Sequence, residues 1–124
     1  MSVRCGVVAV ALLLVAATVA TDELLPDPLE AGWKGERVCE VLHDDETQRV
    51  LRCTFPPGGG HERHYHAPHF GYVLVGGRMR ITSADGVREV DLSDDLTWSS
   101  DGVDWHEVEN IGDTTSVYLI IEPR

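Results

Sequence analysis

After residue 30 no run of apolar positions recurs at helical spacing; short alternations of apolar and polar residues, separated by Gly and Asp turns, take its place. Glu36 to His43 and Gln48 to Phe55 read as a hairpin about Asp44-Asp45-Glu46-Thr47. A turn centred on Glu46 sets Cys39 opposite Cys53, within reach of a cross-strand disulfide, with two buried free thiols as the other reading. Tyr72-Val73-Leu74-Val75 is a strand by composition, and Gly76-Gly77 carries a two-residue hairpin signal into Arg78-Met79-Arg80-Ile81-Thr82, where charged and apolar residues alternate. Asp85-Gly86 repeats that signal before the strand Val87 to Leu92. Leu96 to Trp98, Trp105 to Glu109 and the wholly apolar Val117 to Ile121 complete the pattern, the last as a buried closing strand. Many short strands of this kind predict an antiparallel sandwich or barrel.

The first twenty residues follow another pattern. An uncharged run from Cys5 to Ala20 follows a lone Arg4 and ends in the small residues Thr18-Val19-Ala20. It is shorter than the roughly 20 apolar residues that span a bilayer, so it reads as a cleaved signal peptide, with an uncleaved anchor as the rival. The predicted organisation is a signal peptide over residues 1–20, an extended arm over 21–35 and one domain over 36–124. Export implies a secreted or periplasmic location, where a disulfide persists. Net charge is −11, from 10 basic and 21 acidic side chains. Such a surface repels phosphate backbones and anionic headgroups, which excludes nucleic acid and, after cleavage, a membrane as partners.

Candidate chemistry concentrates in one place. Four of the six histidines, His61, His64, His66 and His69, fall within nine positions behind Pro56-Pro57-Gly58-Gly59-Gly60. On a strand His64 and His66 share a face, and two imidazoles on one face need a third ligand from elsewhere to hold a metal. His106 is that candidate. His43 and His61 read as solvent-exposed, with the mouth of a cavity as a second possibility for His61. Phe70, Tyr72, Leu74, Met79 and Ile81 read as interior filling, and the Tyr72 hydroxyl is a candidate proton carrier. Arg78 and Arg80 read as an outer face or as a grip for a substrate carboxylate. Trp98 and Trp105 belong to the core or to a cavity rim.

Gly58, His64, His66 and Gly77 match the spacing of the first cupin motif, and Gly102, His106 and Asn110 answer to the second with one extra residue before the histidine. The chain therefore resembles the cupins, small all-β antiparallel jelly-roll barrels, over about residues 36 to 122. The resemblance implies His64, His66 and His106 as ligands of a divalent transition metal, iron, manganese, nickel, copper or zinc. It implies a glutamate at position 70, where Phe70 stands. Either the site is an open three-histidine one, or His69 supplies a fourth ligand through a bulge after Pro68. Function then divides between an enzyme acting on a small oxygenated or carboxylate-bearing molecule, of dioxygenase, lyase or isomerase type, and a non-catalytic protein that binds a metal, sugar or small carboxylate. Similar small cupins pair through their outer sheet, so a homodimer is expected.

Overall fold

The computed structural model describes residues 1–3, 6–17 and 24–124. Residues 1–3 and 6–17 are exposed and carry no strand or helix. Thr18-Val19-Ala20, where signal cleavage is expected, lies outside the described residues. Among the described residues no helix is long and apolar enough to cross a membrane.

Among the described residues eleven strands follow in chain order: β1 (Gly32–Trp33), β2 (Glu36–Arg37), β3 (Cys39–Asp44), β4 (Gln48–Phe55), β5 (Gly60–His66), β6 (His69–Val75), β7 (Gly77–Ser83), β8 (Gly86–Leu92), β9 (Thr97–Ser100), β10 (Val103–Asn110) and β11 (Ser116–Pro123). Nine of them form two antiparallel sheets, one of order β5-β10-β7-β8 and one of order β3-β4-β11-β6-β9. From β4 onward the chain passes back and forth between these sheets, which makes the fold a jelly roll. Alternation decides what faces inward. Along β11, Ser116, Tyr118, Ile120 and Glu122 are buried while the residues between them are not. Leu51, Phe55, Val73, Met79, Val108 and Ile120 meet between the sheets as the apolar core. Their burial supplies the main driving force, about 1.5 to 3 kcal/mol for each large side chain.

The β3–β4 hairpin has the expected register, with Cys39 opposite Cys53 and the two joined in a disulfide. The Asp85-Gly86 hairpin also forms, closing on the pair Ser83 and Gly86. Gly76-Gly77 does not make a hairpin, because β6 and β7 belong to different sheets. A Cβ on Gly76 would lie 2.1 Å from the Leu92 carbonyl oxygen, so that glycine permits a close crossing between layers rather than a turn.

The interior filling expected of β6 is corrected as well. Phe70 pairs with Ile121 and Tyr72 with Leu119, and these positions face outward, as Leu74 does. Gly71, opposite the inward Ile120, takes the inner face together with His69 and Val73. Met79 is buried and Ile81 partly so, as expected.

The arm is more than an extended lead. Lys34 and Gly35, both at positive φ (51° and 86°), turn β1 into β2. Pro28 and Ala31 are buried against the barrel, and the Tyr65 N–H donates to the Pro26 carbonyl at 3.1 Å. Arg49, in the interior register of β4, holds both Asp27 and Glu122 at 2.9 Å, with all three side chains less than 20 % exposed. Burial works against ionisation of Asp27, but bonds from the Glu30 and Leu29 N–H groups and from Arg49 outweigh it and hold its carboxyl below the usual range. Arg49→Ala leaves two part-buried carboxylates unpaired and is expected to cost about 3 kcal/mol or more. Thermal melting should register this as a fall in Tm of more than about 10 °C. Arg52→Ala, which removes only an exposed pair with Glu40, should cost less than about 1 kcal/mol; equal losses in the two variants would refute the clasp.

Candidate metal centre

β5 places His64 and His66 on one face, and β10, paired with β5 and β7, brings His106 opposite His64. The three Nε2 atoms form a triangle: 3.0 Å from His64 to His66, 3.0 Å from His66 to His106 and 3.1 Å from His106 to His64. His64 donates its Nδ1–H to the Glu62 carbonyl at 2.6 Å, so its Nε2 presents a lone pair to the triangle. A second-nitrogen bond of this kind fixes the tautomer of a metal-binding histidine. The inward Nδ1 of His66 is buried without a partner.

Three converging acceptor-capable nitrogens repel one another unless a proton or a cation lies among them. At a metal–nitrogen bond of about 2.1 Å, tetrahedral imidazoles stand about 3.4 Å apart, whereas mutually perpendicular ones stand about 3.0 Å apart. Separations of 3.0 to 3.1 Å are of the size that one ion bound to all three nitrogens would require, so the residues fit the metal that the resemblance implied.

Electrostatics keep the donors in the ligand form. Burial, then the other histidines, pushes His66 far below its ordinary value. Burial, followed by His64 and its neighbours, takes His106 down to about 3. Burial lowers His64 too, although its bond to Glu62 pulls the other way.

His61 was misplaced by sequence. It is 1 % exposed, stacks on His64 at 3.8 Å between ring centroids and donates Nε2–H to the Pro28 carbonyl at 3.0 Å. Burial, then His64, lowers it to about 3. His61 thus ties the arm to the back of the site. His43 is exposed, beside Asp45, as expected.

His69 is buried on the inner face of β6 without needing a bulge, because Phe70 points out. Its ring centroid lies 4.7 Å from that of His66, but its Nε2 does not join the triangle. Nδ1–H donates to the Ala67 carbonyl at 2.9 Å, and Nε2 accepts the Trp98 indole N–H at 3.2 Å. The next inward position, Gly71, has no side chain because Trp98 fills the space: a Cβ there would lie 2.1 Å from the indole ring. At the motif position of the glutamate, Phe70 points outward, and the inward neighbours on either side of it are His69 and the glycine covered by the indole.

A cavity of about 540 Å³ opens onto His66 and His106 but not onto His64. Its wall is mainly apolar, with Met79, Val90, Leu92 and Leu96 among the lining residues. Tyr118 lines it too, stacked on Phe55 at 5.0 Å. Burial alone pushes its phenol well above the usual tyrosine range, so it stays protonated. Sequence pointed instead to Tyr72, which lies on the opposite face of its strand and donates to Asp95 at 2.5 Å. The alternation of the closing strand, anchored on Ile120, is the signal that identifies Tyr118. Trp98 lines the cavity, whereas Trp105 lies beneath Arg63, whose guanidinium is 3.9 Å from the ring centroid. Arg78 and Arg80 are outer-face residues paired with Glu89, Asp91 and Glu109.

A family model described as a cupin domain matches residues 51–122. Among solved structures, a cupin domain from Bordetella pertussis Tohama I is similar with a TM-score of 0.67 at 24% identity, over 75% of this chain and 94% of that one. The polyketide cyclase RemF from Streptomyces resistomycificus is similar at 0.58 and 17% identity, over 79% and 77%. A cupin superfamily protein from Desulfitobacterium hafniense DCB-2 gives 0.54 and 16%, over 69% and 75%. No curated protein matches the chain in sequence.

Histidines held below their unfolded value of 6.5 bind fewer protons folded than unfolded, so acid favours the unfolded chain. Their effect is nil well above pH 6.5 and grows as pH falls toward about 3. Each such group costs about 1.4 kcal/mol per pH unit within that window. Metal-free protein should therefore lose Tm steadily between pH 6.5 and 5, above the range where carboxylates titrate. A flat Tm across that interval would contradict the neutral, desolvated site.

Proposed function

Since the chain belongs to the cupin family, we propose that it is a metal-dependent protein of small-molecule chemistry, with one divalent ion held by His64, His66 and His106. Its substrate is a small oxygenated or carboxylate-bearing molecule, and its reaction is of oxygenase, lyase or isomerase type. The convergence of the three Nε2 atoms beside an apolar cavity carries this reading. A metal bound there supplies Lewis acidity toward a substrate oxygen, and imidazole suits iron, manganese, nickel, copper and zinc alike.

The chain's own residues divide the remaining work. His64, at the buried back of the triangle and braced by Glu62 and His61, fixes the geometry. His66 and His106 face the cavity, so a ligand entering it meets the site on their side. The apolar lining excludes water from this volume and strengthens each polar contact made within it. Tyr118 offers a protonated phenol as the cavity's weak acid. The Trp98 N–H orients His69 at the cavity wall.

The alternative is a sealed binding protein in which His69 turns its Nε2 from Trp98 into the coordination sphere. Its burial and its 4.7 Å approach to His66 favour that possibility. The disulfide supports an oxidising, exported location. Outward Phe70, Leu74 and Val75 on the five-stranded sheet support self-association through that face.

Elemental analysis of purified protein should find about one equivalent of divalent metal. His64→Ala, His66→Ala and His106→Ala should each lower the content about tenfold or more, as loss of a direct ligand requires, while His43→Ala should not. Equal metal in all four variants would sink the ligand assignment. His69→Ala separates the readings: retained metal supports the open three-histidine site, and lost metal supports the sealed one.

A further inference from the structure

We infer that Arg88 is the anchor for a carboxylate on the ligand of this site, whose class is a small organic acid with an apolar body. This rests on the reading of the cavity as a small-molecule site.

The placement follows from strand parity. On β8, Val90 and Leu92 are partly buried and line the cavity, and Arg88 continues their face toward the open end, opposite Ile81. The alternate residues Glu89 and Asp91 pair with Arg78 and Arg80, although Asp91 also borders the inner cavity. Beyond the inner cavity lies an outer groove of about 640 Å³, bordered by Ser83, Asp104 and Trp105. Ile81, Arg88, Val103 and His106 line both spaces. Arg88 and His106 therefore stand together at the neck between them.

Its charge is uncommitted. Arg49, Arg52, Arg63, Arg78, Arg80 and Arg124 each hold a carboxylate. Among the described residues Arg88, like the exposed Arg37, pairs with no carboxylate, but Arg88 alone of the two borders the cavity, with Asp91 on the inner side and Asp85 and Asp104 along the groove. Arg88 is exposed at the open end of that β8 face, and in a chain of net charge −11 its guanidinium is a donor fork available to an anion entering the neck. Carboxylate geometry matches that fork bidentately. The rest of such an acid would lie along Leu92 and Leu96, with its far end near His66. Sequence reasoning looked for this grip at Arg78 and Arg80; both are spent on surface pairs.

The test compares benzoate with its neutral isostere benzamide, titrated by calorimetry or NMR into the full chain, metal-free and zinc-loaded. Wild-type protein should prefer benzoate by about tenfold or more, the worth of a charge-assisted bond. Arg88→Gln should erase that preference with zinc stoichiometry unchanged, and Arg88→Lys should restore part of it. Arg37→Gln, which removes an exposed arginine that borders neither space, should leave it intact. Equal benzoate affinity in wild type and Arg88→Gln, absence of saturable benzoate binding, or an equal loss in Arg37→Gln would each overturn the inference. Failure of the metal reading is distinguishable: zinc does not bind, while the metal-free protein still prefers benzoate in an Arg88-dependent way.

Discussion

A strand that turns one face to a closed interior has no water to fall back on there. Every polar group placed on that face must find its partner inside the protein or on a ligand. In this cupin the apolar centre of the barrel obeys the constraint simply, through Leu51, Phe55, Val73 and Met79. Arg49 satisfies it by gathering Asp27 and Glu122, which recruits the arm into the fold. Beside the arm the inward residues are imidazoles, whose nitrogens turn toward one another around a point where a proton or a cation can lie. One rule of burial thus produces a core, a structural clasp and a binding site from the same period of two.

Burial also sets the chemistry of the imidazole end. Desolvation and mutual repulsion hold His61, His66 and His106 neutral, and a neutral imidazole is what a metal requires. The stability that acid removes from such a site and its readiness to coordinate have one origin. His61 adds a mechanical link, since its ring lies against His64 while its Nε2 holds the arm. Arm and metal site are therefore neighbours in space although more than thirty residues separate Pro28 from His64 in the chain.

Much of this was legible in the sequence because it rests on local periodicity. The β3–β4 register followed from a turn centred on Glu46, and the His64-x-His66 face followed from alternation. What sequence misread depends on which layer a segment joins. Gly76-Gly77 has hairpin composition, yet the chain there crosses between sheets, a choice made by β11 and β10 far along the chain. Phe70 has interior hydrophobicity, but pairing with Ile121 turned it out and brought His69 in. Tyr72 turned outward for the same reason, whereas Tyr118 is buried, as expected of the closing strand. Arg88 escaped notice because only the parity of its strand, not its composition, distinguishes it from the outward Arg78 and Arg80.

The contact of Trp98 with Gly71 limits how this wall of the cavity can change over time. Position 71 faces inward beside His69, and the Trp98 ring blocks even a methyl group there. A mutation at position 71 alone meets a steric wall, and a mutation at Trp98 alone opens a hole and strips His69 of its donor. The two positions are locked in order: the indole must shrink before the glycine can grow. The wall beside the three histidines is thus kept by a pair of residues, each of which holds the other in place.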